Sequence, residues 1–242
     1  MTDLPGSSDA ERRTDLSPDV RRDFPSDDRP DVQPDARRDL RSDDRPDVRP
    51  DADPRASTVR VFIALAPPDE AKDELARALR PAYDAYPRMR WNRIEDWHIT
   101  LAFLGELPVE VVPPLQAPLA DLAASLPPVE LSLRGGGHFD ERVLWSGIDG
   151  ELDALHRLAG GVRAVVRECG IALEDRPLRP HLTLARARRD DPTSVVEAAA
   201  GLSAFTGRRW PTERLHLVGS NFGRGPGPIR YRDIRSWSFT GG

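Results

Sequence analysis

Apolar and polar residues follow regular patterns only after residue 57. The run 59–65 is rich in β-branched and apolar residues and precedes two prolines, a pattern typical of a strand. Apolar residues then recur at helical spacing from Asp69. A further apolar run over 97–104 predicts a second strand that ends at Gly105. The first half of the patterned region is therefore predicted to fold as strand, helix and strand.

The second half repeats this order. A strand is predicted over 142–148, a helix over 152–169 that ends at Gly170, and a strand over 181–185. The spacing from the first to the last strand is nearly the same in both halves, which indicates a duplication. Further strands are predicted at 129–134, 213–220 and 230–239. This pattern favours an α+β fold of two pseudo-symmetric lobes with antiparallel sheets and flanking helices.

The segment 1–57 differs from the rest of the chain. It is rich in Pro, Asp and Arg, has one aromatic residue, and contains the sequence Ser-Asp-Asp-Arg-Pro-Asp-Val twice. Such a segment cannot bury enough apolar surface to offset the entropy of ordering, so we expect a disordered tail. It carries the chain's entire net charge of −5, which leaves residues 58–242, the predicted folded domain, near neutral. A broadly basic nucleic-acid surface is therefore not expected.

The cellular setting follows from composition. Cys169 is the only cysteine among 242 residues, so no internal disulfide can form. No apolar stretch has the length of a signal peptide or a membrane span. We expect a cytoplasmic protein that does not enter a membrane and acts as a monomer.

Two copies of the motif His-x-Thr-x carry the chemistry, His98–Leu101 and His181–Leu184. In a strand, residues i and i+2 share a face, so each histidine stands beside its threonine. If the two halves face each other, two imidazoles and two hydroxyls line one cleft. One imidazole can then accept a proton from an attacking water while the other protonates a leaving oxygen at phosphorus. The threonine hydroxyls can donate hydrogen bonds to the non-bridging oxygens.

These motifs resemble a known family. The segments Trp97–Gly105 and Pro180–Arg186, with strands 59–65 and 142–145, are similar in sequence and order to the bacterial LigT/ThpR family of RNA 2′,3′-cyclic phosphodiesterases, which belong to the two-histidine phosphoesterases. The resemblance spans about Thr58 to Phe239. It implies a bilobal fold and hydrolysis of RNA or nucleotide 2′,3′-cyclic phosphates to 2′-phosphates, with the reverse 2′-5′ RNA joining also open. It also implies that no metal or other cofactor is needed.

The resemblance implies roles for individual residues. Those corresponding to His98, Thr100, His181 and Thr183 form the family's site. For a 2′-phosphate product, we assign protonation of the leaving 3′ oxygen to His98 and activation of water to His181.

The remaining candidates have weaker support. Arg186 follows the second motif, and its guanidinium could bind a cyclic phosphate. In a regular strand, however, it would point to the face opposite His181, so this role requires a bulge or the end of the strand. Phe62 can stack on a base, although an apolar strand residue is more often part of the core. His138 is predicted in a flexible loop after three glycines, whereas His156 and His216 are expected to be structural or exposed.

Two alternative functions stay open at this point. The same site can act on another small cyclic or 2′-5′ linked nucleotide, because specificity lies in loops outside the motifs. The fold can also serve as a non-catalytic RNA-binding module. The tail can, in addition, recruit a partner through its repeats.

Overall fold

The computed structural model describes residues 57–188, 191, 193–220 and 230–241. The tail predicted to be disordered lies outside these residues, apart from Ser57. Among the described residues there are five α-helices: α1 (Asp69–Ala78), α2 (Arg80–Ala85), α3 (Gln116–Ser125), α4 (Leu152–Glu168) and α5 (Thr193–Gly201). The strands in the same residues are β1 (Thr58–Leu65), β2 (Arg90–Trp91), β3 (Ile99–Pro108), β4 (Glu130–Phe139), β5 (Val143–Gly150), β6 (His181–Arg186), β7 (Trp210–Pro211), β8 (Arg214–Ser220) and β9 (Tyr231–Ser238).

All the strand pairings in the described part of the chain are antiparallel, which confirms the predicted α+β class. The strand order is β7-β4-β5-β6-β3-β1-β8-β9, with β2 added beside β6. The duplicated order is visible as β1, α1 and β3 in one half and β5, α4 and β6 in the other. The two halves meet where β3 pairs with β6, so the motif-bearing strands are neighbours at the centre of one curled sheet.

The helices cover one face of this sheet. Helix α4 packs on β3 and α3 packs on β9, whereas α5 packs on β4 and β5. The apolar face of α4 is buried, and the helix ends next to Gly170, whose φ of 80° is easily adopted only without a Cβ. Helices α3 and α5 were not predicted from the sequence. Among the described residues, no helix combines the length and the apolar character that a membrane span requires.

The predictions for two strands were partly wrong. Strand β3 begins at Ile99 and not at Trp97, so Trp97 and His98 lie directly before it. Strand β3 does not end at Gly105 but continues to Pro108, because Gly105 adopts a φ of 80° at a bulge opposite β1 and pairing then resumes. His138 does not lie in a flexible loop, since β4 continues through the three glycines to Phe139. These glycines bring the backbone close to its neighbours: a Cβ at Gly137 would stand 2.2 Å from the Trp145 ring.

Candidate active site

The relative position of the two motifs is set by one strand pair. Ile99 of β3 is the direct partner of Leu182 of β6, and both side chains are fully buried. Continuing this antiparallel register would place Thr100 beside His181, and His98, which lies one residue before β3, beside Thr183. The motif residues of both strands therefore point to the sheet face opposite Ile99 and Leu182.

The His98 imidazole has a fixed orientation. Its Nδ1 lies 2.7 Å from the carbonyl oxygen of Asp96, which can only accept a hydrogen bond, so Nδ1 carries a proton and Nε2 is left for chemistry. The ring stacks on Phe62 at a centroid distance of 4.6 Å, and the edge of Tyr231 contacts it at 5.3 Å. Burial lowers the pKa of His98, and the charge of His181 lowers it further.

His181 is held in the same way. Its Nδ1 lies 2.7 Å from the carbonyl oxygen of Arg179, which again is two residues earlier in the chain. Phe139 contacts the ring edge to face at 4.9 Å. Burial lowers the pKa of His181 as well, and the positive charge of Arg186 adds to this effect. Both motifs therefore present a half-buried imidazole whose Nε2 is available and whose neutral form is favoured.

A bulge decides where Arg186 points. Leu144 pairs with Ala185 and Trp145 pairs with Thr183, so Leu184 has no partner in β5. The extra residue shifts the alternation of side chains by one position. Arg186, which is exposed, therefore points to the same sheet face as His181 and Thr183. The influence of Arg186 on the pKa values of both His181 and Tyr231 agrees with this position.

The first motif has an equivalent bulge. Leu101 has no partner in β1, so Phe103 emerges on the motif face, with 49% of its surface exposed. The Arg60 guanidinium lies over its ring, 4.6 Å from the centroid. Phe103 thus corresponds to Arg186 in the duplicated arrangement. The same correspondence is visible in the sequence, where each residue stands five positions after the histidine of its motif.

Phe62 lies in the site but is only 4% exposed. Its ring packs on His98, Ala64, Val218 and Tyr231, in a small apolar cluster separate from the main core. The ring is thus stacked on the imidazole of His98, and stacking on a base stays a prediction.

The other histidines lie elsewhere. His138 is exposed on β4, where its Nδ1 accepts a hydrogen bond from the backbone of Glu141, and His156 bonds the Leu152 carbonyl within α4. His216 was expected to be structural or exposed, but its Nδ1 lies 2.8 Å from an oxygen of Asp233, in the wall of a cavity next to His98. Sequence reasoning also missed Tyr231, because nothing in the pattern shows that β9, which begins at this residue, pairs with β8 and that β8 pairs with β1. In the described part of the chain, no group of three or more metal-ligating side chains is present.

The family follows from comparison with known proteins. The model of the 2′-5′ RNA ligase superfamily matches residues 67–223, which is more than half of the chain. The chain belongs to this superfamily.

Two relatives of this chain carry the same name, and one solved structure has a similar fold. An RNA 2′,3′-cyclic phosphodiesterase of Thermus thermophilus is 32% identical over 76% of this chain and 91% of its own length. A protein of the same name from Geobacillus stearothermophilus is 37% identical over 59% of this chain, but the match spans only 46% of that relative. The crystal structure of Escherichia coli LigT complexed with 3′-AMP is similar with a TM-score of 0.59 and 25% identity, over 76% of this chain and 99% of the other. These likenesses confirm the predicted two-histidine phosphoesterase fold.

Proposed function

We propose that the protein hydrolyses 2′,3′-cyclic phosphates at the ends of RNA or nucleotides to 2′-phosphates, without a metal. The observation that carries this proposal is the matched pair of imidazoles, His181 at the start of β6 and His98 directly before the neighbouring β3, each with Nδ1 bound to a carbonyl two residues earlier. Both rings thereby offer Nε2, the arrangement that paired proton transfer on opposite sides of a phosphorus atom requires. The names of the relatives supply the substrate class.

The reaction has one displacement at phosphorus. Neutral His181 accepts a proton at Nε2 from a water molecule, whose oxygen forms a bond to phosphorus. The bond from phosphorus to the 3′ oxygen breaks, and protonated His98 donates its Nε2 proton to that oxygen. The product is a 2′-phosphate with a free 3′ hydroxyl, and both histidines return to their starting states by exchange with solvent. With a 5′ hydroxyl of RNA in place of water, the same steps join RNA through a 2′-5′ linkage: the 5′ oxygen forms a bond to phosphorus and gives its proton to His181, and the 3′ oxygen leaves with the proton of His98.

Two hydroxyls and one guanidinium support the negatively charged phosphoryl group, and one amide holds the strand of the second motif. The hydroxyls of Thr100 and Thr183 stand on the motif face and donate to the non-bridging oxygens as charge develops. Asn92 fixes the second motif strand, since its amide donates to the carbonyl of Thr183 at 3.0 Å. Arg186 supplies a charged donor at the end of this strand.

The decisive experiment is a turnover assay with the four nucleoside 2′,3′-cyclic monophosphates and with RNA that ends in a cyclic phosphate. The 2′- and 3′-phosphate products are resolved by chromatography, with and without EDTA. We expect 2′-phosphates and unchanged rates in EDTA. Exclusive 3′-phosphate products would overturn the assigned leaving oxygen, and inhibition by the chelator would overturn the metal-free mechanism. Binding of RNA without any turnover would favour the RNA-binding module.

The domain division and the cellular setting are part of the same proposal. Residues 58–242 form the bilobal catalytic domain, which we place in the cytoplasm as a monomer. The Ser57 carbonyl accepts a hydrogen bond from the backbone of Val109, so a truncated protein should keep this residue. Removal of residues 1–56 should leave the turnover of cyclic mononucleotides unchanged, and a large loss would show that the tail contributes to the domain.

A further inference from the structure

Two arginines stand directly opposite each other near the end of the second motif strand. Arg90 of β2 is the antiparallel partner of Arg186 of β6. Directly paired residues of neighbouring strands project to the same face of a sheet, with Cβ atoms roughly 4.5 to 5.5 Å apart. Like charges in this arrangement destabilise a sheet. An anion bound between the two guanidinium groups would remove that repulsion.

The arginine pair lies on the same sheet face as the motifs. The neighbouring pair of the same ladder is Trp91 with Ala185; Ala185 is fully buried and Trp91 packs against the main core. Since successive side chains of a strand point to opposite faces, Arg90 and Arg186 point away from the core. Both are exposed, on the face that carries His181. The pair therefore borders the proposed catalytic site.

The positive charge of the pair is not compensated by the described part of the chain. Among these residues, neither guanidinium forms an ion pair with a carboxylate, whereas Arg134 and Arg208 do. The surrounding strand ends carry charges of both signs, so the excess of positive charge is local and suits one small anionic group. These charged residues are Arg142, Arg188, Asp140, Glu141 and Asp191.

The position of the pair along β6 separates it from the reacting phosphorus. Strand β3 meets β6 at Ile99 and Leu182, and β2 takes the same edge of β6 further along, because β5 occupies the other edge. The pair stands roughly 13 Å from the meeting of the two motif strands, at about 3.3 Å per residue. In the proposed mechanism Arg186 contacts the reacting phosphoryl group. Arg90, beside it, is then in position for a second phosphate.

We propose that Arg90, paired with Arg186, binds the phosphodiester that links the terminal nucleotide of an RNA substrate to the next nucleotide. This inference rests on the proposed function and narrows its substrate class from cyclic phosphates in general to the ends of RNA chains. A planar guanidinium binds two oxygens of one phosphate at once. A cyclic mononucleotide has no such second phosphate, so this contact distinguishes RNA from small cyclic nucleotides.

Steady-state kinetics on three matched substrates test this contact. All three end in uridine 2′,3′-cyclic phosphate: the mononucleotide, the uridine dinucleotide, and the same dinucleotide with a neutral methylphosphonate linkage. We expect kcat/KM of the wild type for the charged dinucleotide to exceed that for the other two by about tenfold, the effect of a hydrogen bond between charged groups. In Arg90→Met the charged and neutral dinucleotides should differ by less than about twofold, through a higher KM for the charged one.

The control is Arg157→Met, which removes one exposed guanidinium from α4 and should retain the tenfold preference. Arg90→Lys serves as a second variant if the methionine protein does not fold; it should keep only part of the preference, because an ammonium group lacks the planar fork of a guanidinium. Equal kcat/KM for the charged and neutral dinucleotides in the wild type would overturn the second-phosphate contact. Equal losses on all three substrates in the Arg90 variants would also overturn it.

A binding measurement separates this proposal from the enzymatic one. A uridine dinucleotide that ends in a 2′-phosphate is titrated by calorimetry into the wild type and Arg90→Met at several salt concentrations. Loss of one phosphate contact should weaken binding and reduce the slope of log K against log salt by about 0.7. This result supports the contact even if no cyclic phosphate is hydrolysed, in which case only the proposed function fails. Turnover with equal affinities and slopes in both proteins would overturn the contact alone. If the dinucleotide does not bind, the contact is wrong.

Discussion

Ile99 pairs directly with Leu182 across the centre of the sheet. This pair joins the two halves of the chain, and the antiparallel register that it sets brings His98 and His181, the residues directly before Ile99 and Leu182, to the same part of the sheet. A site assembled from adjacent strands of one sheet needs no loop movement to bring its imidazoles together. Rigid support of this kind keeps catalytic groups oriented before the substrate binds.

Replacement of either imidazole should abolish most of the turnover. We expect His98→Ala and His181→Ala to lower kcat/KM by about 10² to 10⁴, the range for loss of a general acid or base. The rings are half-buried and lie outside the main core, so the folded structure should persist. Kinetics on cyclic mononucleotides, with circular dichroism as the folding control, check this. His156→Ala on the outer side of α4 should retain full activity, and a folded His98→Ala protein that is equally active would refute the assignment.

The pH dependence should reflect both lowered pKa values. One histidine must be neutral and the other protonated, so kcat/KM should depend on pH in a bell-shaped curve. The two limbs of this curve report the pKa values of the histidines in the free enzyme. Burial lowers both pKa values from the ordinary 6.5. Activity should therefore peak below pH 6.5: acidification protonates the base, whereas a rise in pH deprotonates the acid. A profile of kcat/KM against pH tests this, and a maximum above pH 7.5 would contradict it.

Arg186 should act on both the substrate and His181. The guanidinium disfavours the protonated form of the neighbouring imidazole, so Arg186→Met should raise the pKa of His181. Loss of a charged donor to the phosphate should also lower kcat/KM by about tenfold. Titration of the histidine ring signals by NMR measures the first effect and kinetics the second. Arg157→Met, an exposed position on α4, provides the matched control. An unchanged His181 titration would place Arg186 away from the imidazole.

The sequence predicted what depends on local pattern. Apolar periodicity along the chain predicts the strands and their duplicated order. The two His-x-Thr motifs are read directly from the residues, without knowledge of the tertiary structure. Strands β8 and β9 were also predicted, but their residues gave no sign of a role, because Tyr231, His216 and Asp233 reach the site only through the order of strands in the sheet. Helix α5 was missed because its short, Ala-rich sequence carries little amphipathic pattern.

Bulges explain the remaining differences. In a regular strand, Arg186 would point to the sheet face opposite His181. The unpaired Leu184 shifts the alternation by one residue, so that Arg186 points to the same face as His181. An unpaired residue leaves no local signature when the residue is an ordinary leucine. The glycines before His138 suggested a loop, whereas in the structure they allow β4 to pass close to Trp145. Both features depend on the partner strand, which a single sequence does not reveal.

The close approach of Gly137 to Trp145 leads to a stability prediction with an internal control. A Cβ at Gly137 would lie 2.2 Å from the indole, and Trp145 is the direct partner of Thr183. Gly137→Ala should therefore displace the strand beside the second motif, costing about 1 to 3 kcal/mol of unfolding free energy and lowering kcat. At Gly160, inside α4, a Cβ meets no atom within 4 Å. Gly160→Ala should stabilise the protein by about 0.5 to 1 kcal/mol. Urea denaturation measures both variants, and equal stability of Gly137→Ala and the wild type would show that the indole moves aside freely.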